Sequence, residues 1–370
     1  MADKEAMKIK DITDFLERKA HLATQESYDN SGLLVGDNQQ QVTGVLVSLD
    51  CTEDIVDEAV RKGCNLIVSH HPIVFKGLKS LTGKNYVERT VIKAIQFGVA
   101  LYAIHTNLDN YRFGVNFEIG KRLGLSNLSV LSPVKGKLSK LVTYVPKSHL
   151  ESVRKAVFSA GAGTIGEYDK CSFSSEGMGS FRALENASPY VGEKGQLHEE
   201  PEIRLEVVLP EYLEGNVVRV LLAAHPYEEV AYDLFPLKNK NQFEGAGMVG
   251  ELDTPMEMMA FLEKVKQEFS CGTIRYTDLV KKEVKKVAFC GGSGSFLLNQ
   301  AIRSAADLFI TGDFKYHEFF DADGHIVIAD IGHYESEQFT IDLIGDSIRK
   351  NFTTFAVHLT ELNTNPVNYL

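Results

Sequence analysis

Apolar residues recur along the first part of the chain in two rhythms. Over residues 9–20 they fall at Ile9, Ile12, Phe15 and Leu16, the spacing of a helix with one buried face. Val42 to Leu49, Leu66 to Val68 and Val99 to Ile104 are instead short runs rich in β-branched residues, which suit strands covered on both faces. Between the first two runs, Thr52 heads a predicted helix through Arg61, with Glu53 and Asp54 in its first turn, where acidic groups favour the dipole. Gly63 closes that helix, and another is predicted from about Val87 to Phe97. Strands alternating with helices imply a parallel or mostly parallel sheet.

The pattern changes near residue 130, where Pro133, Lys135-Gly136-Lys137 and Lys140 make a basic, turn-rich boundary. Leu141–Val145 then predicts a strand, Ser148 a cap for a helix over His149–Ala160, and Cys171–Ser175 a second strand. Gly177 to Glu200 reads as a hairpin with mobile loops, Ile203–Leu209 as a third strand, Glu211–Ala224 as a helix, and Val230-Ala231-Tyr232 as the start of a last strand. The order β-α-β-β-α-β is that of a ferredoxin-like α+β domain. After Asn239 the α/β grammar returns. Gly245–Leu252 predicts a strand, Thr254-Pro255 a cap and first turn of a helix to about Phe269, and Ser336 to Arg349 a further amphipathic helix. Asn65–His70 resembles Asp307–Gly312 in pattern, and Gly98–His105 resembles Gly324–Ile331. The expected organisation is therefore two similar α/β halves, residues 1–130 and 240–370, forming one core, with residues 138–238 inserted.

Candidate chemistry sits where the apolar runs stop. Leu66-Ile67-Val68 delivers Ser69-His70-His71-Pro72, and Pro72 breaks the strand because it has no N–H for a ladder. Val99–Ile104 delivers His105-Thr106-Asn107-Leu108-Asp109. Ile326–Ile331 delivers Gly332-His333-Tyr334-Glu335-Ser336-Glu337, in which His333 and Glu337 would share one helical face while Glu335 points elsewhere. In open α/β sheets, ligands bind just beyond the carboxyl ends of strands. Gly291-Gly292-Ser293-Gly294-Ser295 also comes after a strand and could cradle an anion at a helix start, but it lacks the lysine of a P-loop and the spacing of a dinucleotide fingerprint.

Bulk properties narrow the field. With 39 basic and 50 acidic residues the formal charge is -11, which argues against non-specific nucleic-acid binding. Five scattered cysteines without a C-x-x-C pair suit a reducing compartment and argue against thiolate zinc sites. A polar start and the lack of a long apolar run lead us to expect a cytoplasmic protein that does not enter a membrane.

Taken together, the three histidine-bearing segments resemble the Nif-three-like dinuclear metal family, whose bacterial members are commonly labelled GTP cyclohydrolase 1 type 2 homologues. Asp29-Asn30-Ser31-Gly32-Leu33 and Thr311-Gly312-Asp313 fit the same pattern, which covers about residues 9–130 and 240–365. The middle segment, with Ala224-His225-Pro226-Tyr227-Glu228-Glu229, is similar to the PII/CutA-like insertion of the longer members. The resemblance implies metal ligands at His70, His71, Asp109, His333 and Glu337, and a toroidal homohexamer with the sites facing an internal cavity.

Three histidines and two carboxylates are too many for one tetrahedral ion and suit two divalent ions per subunit (Zn, Fe or Mn) with open positions. Glu337 is then the expected bridge, His70 and His71 serve different ions, His105 supports the ligands from outside, and a metal-bound water is the reacting group. The implied activity is that of a metal-dependent hydrolase, with the cyclohydrolase label pointing to purine-ring opening of an otherwise unidentified small molecule. The alternative is a non-catalytic metal-bearing regulator or scaffold whose inserted domain binds a small ligand or partner.

Overall fold

The computed structural model describes residues 7–370. The chain divides into two compact units, one running up to Ser132 and resuming at Glu244–Leu370, the other comprising Pro133–Phe243.

In the larger unit, strands Gly44–Ser48, Leu66–Ser69 and Ala100–Ala103 lie side by side and parallel. Gly32–Val35 adds antiparallel at one edge and Ala356–Leu359 parallel at the other, completing a five-stranded sheet. A six-stranded sheet repeats the plan: Glu283–Ser293, Leu308–Gly312 and Val327–Asp330 are its parallel centre, with Arg275–Tyr276 antiparallel on one side, Lys240–Glu257 antiparallel on the other and Ser126–Lys135 beyond it. These are the two similar α/β halves the sequence predicts.

Alternation along the central strands explains why they join into one body. Val45, Val47, Leu66, Val68, Ala100 and Tyr102 of the first sheet enter the same core as Val287, Phe289, Leu308, Ile310, Val327 and Ala329 of the second. The residues between them, Leu46, Ile67 and Leu101, turn to a separate core, and Ala288, Phe309 and Ile328 to another. Successive side chains of a strand point to opposite faces. A run apolar at every position thus fills two cores at once, each full burial of a large aliphatic side chain being worth about 1.5–3 kcal/mol. Helices Ile9–Lys19, Val115–Leu123, Met258–Glu268 and Thr340–Asn351 add their apolar faces to the shared core.

Four local expectations are corrected. Thr254-Pro255 does not open a helix; the strand Lys240–Glu257 continues through it, and the helix Met258–Glu268 is capped by Glu257, whose side chain accepts the N–H groups of Met259 and Ala260 at 3.1 and 2.6 Å. Pro255 falls where the pairing with Glu283–Ser293 shifts register, one of the few strand positions that does not require an N–H. Ser148 does not cap its helix: Lys147–His149 is a 3-10 turn and the helix is Leu150–Ser159. The glycine cluster lies mostly in the strand Glu283–Ser293, and only a 3-10 turn, Ser295–Leu297, precedes the helix Leu298–Arg303. The predicted helix from Ser336 to Arg349 is two helices, His333–Glu337 and Thr340–Asn351.

The smaller unit has one four-stranded sheet in the order Phe173–Arg182, Leu197–Pro210, Leu138–Pro146, Tyr232–Leu237, with all neighbours antiparallel. Helices Leu150–Ser159 and Glu214–Ala224 share a core with Leu141, Val145, Leu205, Val207 and Leu209. These residues alternate along their strands, so the helices cover one face only. No helix among the described residues of the chain is long and apolar enough to cross a membrane.

Candidate metal centre

Three parallel strands of the larger unit end in polar side chains turned toward one place. Leu66–Ser69 runs into His70 and His71, Ala100–Ala103 into His105 and the short helix Thr106–Asp109, and Val327–Asp330 into the helix His333–Glu337. The positions named from the sequence, His70, His71, Asp109, His333 and Glu337, meet there, although they come from both halves.

The donor atoms form three overlapping sets, each within 4.8 Å: His71 with His333 and Glu337, His70 with Asp109 and Glu337, and His70 with His71 and His105. Glu337 closes two of them with different oxygens. Its Oε2 lies 3.0 Å from His71 Nε2 and 3.1 Å from His333 Nε2, while its Oε1 lies 3.8 Å from His70 Nε2. His105, expected to stand behind the ligands, has its ring 5.3 Å from that of His70 and 5.4 Å from that of His71. Geometrically it stands level with them.

Every imidazole is oriented from behind. His70 Nδ1 donates to the Ile104 carbonyl at 2.8 Å, which turns Nε2 toward the cluster. His71 Nδ1 meets Asp50 at 2.8 Å, His105 Nδ1 meets Asp29 at 2.7 Å, and His333 Nδ1 meets Asp313 at 2.7 Å. Carboxylates or carbonyls behind a histidine fix its tautomer and strengthen the opposite nitrogen as a ligand. Asp50 is itself held by the Thr364 hydroxyl at 2.6 Å, and Asp29 by the backbone N–H of Thr106 at 3.0 Å. The Gly-rich turn has a role that its sequence does not reveal. A Cβ on Gly292 would sit 2.5 Å from Glu337 Oε1, and one on Gly291 3.3 Å from Glu337 Cγ, so these glycines make room for a buried carboxylate rather than for a bound anion.

The electrostatics call for a cation. His70 is fully buried, yet its Nε2 has no hydrogen-bond partner, and neither does the buried Oδ1 of Asp109, 3.5 Å away. Such paired orphans are costly unless something satisfies both. Burial, and then the neighbouring Glu337, push Asp109 well above the carboxylate range. Burial acts the same way on Glu337, but the charge of His333 and the hydrogen bonds from His333 and His71 overcome it and hold it low. Burial alone would depress His71 and His333; their carboxylate partners reverse the sign and carry them up to about 9 and about 11. Protons are thus drawn onto nitrogens that could instead bind a metal, the competition expected of a ligand set. Imidazole and carboxylate donors together suit first-row divalent ions, so the residues fit the metal centre that the resemblance implies.

Two cavities open beside the cluster. One of about 320 Å³ is lined by Tyr28, Phe75, His105, Asp109, Phe296 and Glu337 among others; the other, of about 490 Å³, includes Asp50, Arg275, Asp330, Glu335, Asn365 and Tyr369. His71 and His333 border both. Glu335 indeed turns away from the cluster, accepting Asn365 Nδ2 at 3.2 Å.

Comparison with known proteins matches residues 7–366 to the family described as Duf34/NIF3 (NGG1p interacting factor 3). A Bacillus subtilis protein named GTP cyclohydrolase 1 type 2 homolog is 37% identical over 352 residues, 92% of this chain and 93% of that one. A Staphylococcus aureus protein of the same name is 34% identical over 98% of this chain and 100% of its own. The crystal structure of a Bacillus cereus protein related to NIF3 superposes with a TM-score of 0.87 at 35% identity, covering 99% of this chain and 100% of that one.

Proposed function

Because the chain belongs to the Duf34/NIF3 family, we propose that its larger unit is a two-metal centre serving a hydrolase. His71 and His333 would hold one divalent ion, His70 and Asp109 a second, and Glu337 both. The observation that carries this reading is the division of Glu337, whose two oxygens face different histidines. Asp50, Asp313 and Asp29 position the imidazoles, and His105 stands near enough to His70 and His71 to serve either as a further ligand or as a proton carrier. Zn, Fe and Mn all suit this donor set.

When bound, such ions supply Lewis acidity and an activated water. The chain supplies the rest. His70, buried to 0% exposure, and Glu337 exclude bulk water from the floor of the site. Tyr28 and Phe296, 63% and 61% exposed, and Phe75 offer ring faces at the 320 Å³ cavity, which suits a compact planar substrate. No lysine or arginine occurs among the described lining residues of that cavity, so a polyphosphate tail would find no cationic clamp there. Cys290 also borders it, but the thiol is buried, and burial, then Asp109 and Glu337, push its pKa up.

The test is to incubate the metal-loaded protein with GTP and with simple phosphoesters and to measure formate and phosphate. Turnover that vanishes in His71→Ala supports the hydrolase. No turnover across the panel favours the second reading, a metal-bearing regulator, for which the ligand-sized cavity enclosed by the smaller unit's own residues speaks. Under either reading, residues 138–238 are an inserted ferredoxin-like, PII/CutA-like domain between core segments 1–130 and 240–370, and the protein works in the cytoplasm, where its free cysteines stay reduced. The toroidal homohexamer belongs to the same proposal; light scattering should give a hexamer of the 41.1 kDa chain.

A further inference from the structure

The smaller unit contains a cavity of about 900 Å³, at the upper end of the range for small-molecule sites. It lies on the sheet face that the helices leave bare. Tyr144, Glu202 and Arg204 line it, whereas their strand neighbours Val145 and Leu205 point into the helix-covered core. Segment 183–191 supplies further lining, including Leu184 and Tyr190.

Three aromatic rings stand together along the cavity. Tyr227 is at the middle, with the Phe181 ring centre 6.3 Å away and the Tyr190 ring centre 6.1 Å away. His225 secures Tyr227: its ring lies 4.9 Å from the tyrosine ring, its Nδ1 accepts the Tyr227 backbone N–H at 3.1 Å, and its Nε2 donates to the Tyr144 carbonyl at 2.9 Å. Both imidazole nitrogens are therefore engaged, and His225 is a support rather than a ligand. Tyr190, by contrast, is 53% exposed and faces water at the cavity.

The charges among the lining residues are unequal. Glu176, Glu202, Glu228 and Glu229 outnumber Arg182 and Arg204; Arg204 is already bound by Glu206 at 2.9 Å and Glu176 by Lys147 at 3.1 Å, which leaves three carboxylates against Arg182. Glu202 is deliberately accommodated, since a Cβ at Gly179 would collide with its carboxylate. It lies close enough to Tyr227 to add, after burial, to the upward shift of that hydroxyl. Aromatic faces carry negative quadrupole charge, and a nearby carboxylate adds a full counter-charge; both attract cations and repel anions.

We propose that this cavity binds an organic cation, a protonated or alkylated amine on an apolar body, with its charge against Glu202 and the Phe181–Tyr227–Tyr190 rings. The site is independent of the metal centre.

Calorimetric titration of the full-length, metal-loaded protein tests it, with benzyltrimethylammonium as the cation, benzyl alcohol as the neutral comparator, and benzoate and ATP as anions. The cation should saturate one site per chain, with benzyl alcohol at least tenfold weaker and both anions weaker still. Glu202→Gln, nearly isosteric, and Tyr190→Leu, at an exposed position, should each weaken the cation about tenfold or more while melting as the wild type does. His71→Ala should bind it unchanged. Equal or tighter binding of benzoate or ATP, no binding of any probe, or undiminished affinity in Glu202→Gln would each overturn the proposal.

Discussion

The two halves of the larger unit share a frame and differ in what they hang on it. Each has three parallel strands at its centre, and the third of them leads into a short helix followed by a longer one: Thr106–Asp109 before Val115–Leu123, and His333–Glu337 before Thr340–Asn351. A histidine and a carboxylate recur at the same i, i+4 spacing, His105 with Asp109 and His333 with Glu337. At the end of the middle strand the halves diverge. The first has His70-His71, and the second has Gly312-Asp313, whose aspartate serves His333. One half thus crowds imidazoles, and the other contributes the carboxylate that touches them. The carboxylates also end in opposite states, Asp109 raised and Glu337 lowered. Two carboxylates whose oxygens lie within 4.8 Å of one another in this setting cannot both stay ionised without a cation, and the histidines decide which one does.

That asymmetry predicts unequal consequences of removing the equivalent carboxylates. Glu337→Ala should abolish binding of both ions, because it faces both donor sets; Asp109→Ala should remove only the ion shared with His70. Mass-spectrometric metal analysis of protein purified without added metal distinguishes them. Wild-type content in Glu337→Ala would refute the bridge, and equal losses in both variants would refute the division between halves.

The residues behind the histidines rank next. Asp50→Asn and Asp313→Asn should each lower metal affinity about 10–100-fold while leaving the fold intact, the usual effect of releasing a ligand's supporting hydrogen bond. Asp29→Asn compares the first half with the second. If His105 is a ligand, Asp29→Asn should lower affinity as much as Asp313→Asn does; if His105 only carries protons, metal content should hold while turnover falls. Competition with a chelator at fixed pH reads both.

Gly292→Ala is smaller in effect but tests the second half's room for a carboxylate. Gly292 has φ +61° and its added methyl would meet Glu337. Left-handed backbone strain costs on the order of 1–3 kcal/mol, so the variant should unfold at lower denaturant concentration. Gly312 lies in the same region, but a Cβ there meets the His333 backbone at 2.8 Å, so Gly312→Ala should disturb the ligand helix itself.

Much of this was legible in the sequence because the central strands are apolar at every position. Leu66-Ile67-Val68 and Val99 to Ile104 announce strands covered on both faces, and the residues just past such strands sit at a sheet's carboxyl edge. His70, His71, His105, Asp109, His333 and Glu337 stood out on that ground, and the family resemblance made all of them but His105 the expected ligand set. Asp50 could not, although it too ends a strand, because nothing local tells a helix-preceding aspartate from one that grips a distant histidine. Thr364 was illegible for the same reason: its contact with Asp50 exists only after the chain's last segment folds back. Pro255 misled because a proline after threonine fits a helix start as well as a strand irregularity, and only the pairing with Glu283–Ser293 decides. The glycines beside Glu337 looked like an anion cradle since an absent Cβ does not say which neighbour needs the space.

The edges of the two sheets extend the comparison to its mildest prediction. The first half's sheet takes its last strand, Ala356–Leu359, from the second half, parallel to Gly44–Ser48. Glu58 anchors the two residues after that strand, accepting the Thr360 hydroxyl at 2.5 Å and the Glu361 N–H at 3.0 Å while Lys62 pairs with it at 2.8 Å. In the second half the matching position is taken by the antiparallel strand Lys240–Glu257, with Ser126–Lys135 beyond it. Burial would raise Glu58, but Lys62, Thr360 and Glu361 outweigh it and hold its pKa below the usual value. A carboxylate depressed in the folded state contributes stability above its unfolded pKa, about 4.3, and loses it as pH falls through the lower folded value. Glu58→Gln should therefore be less stable than wild type at pH 7 by on the order of 1 kcal/mol. The deficit should stay constant down to about pH 5 and close as the solution is acidified further. Thermal melts of both proteins across that range measure it. A deficit that widened toward low pH would mean that Glu58 is protonated in the fold, and that the last strand is held by its backbone pairing alone.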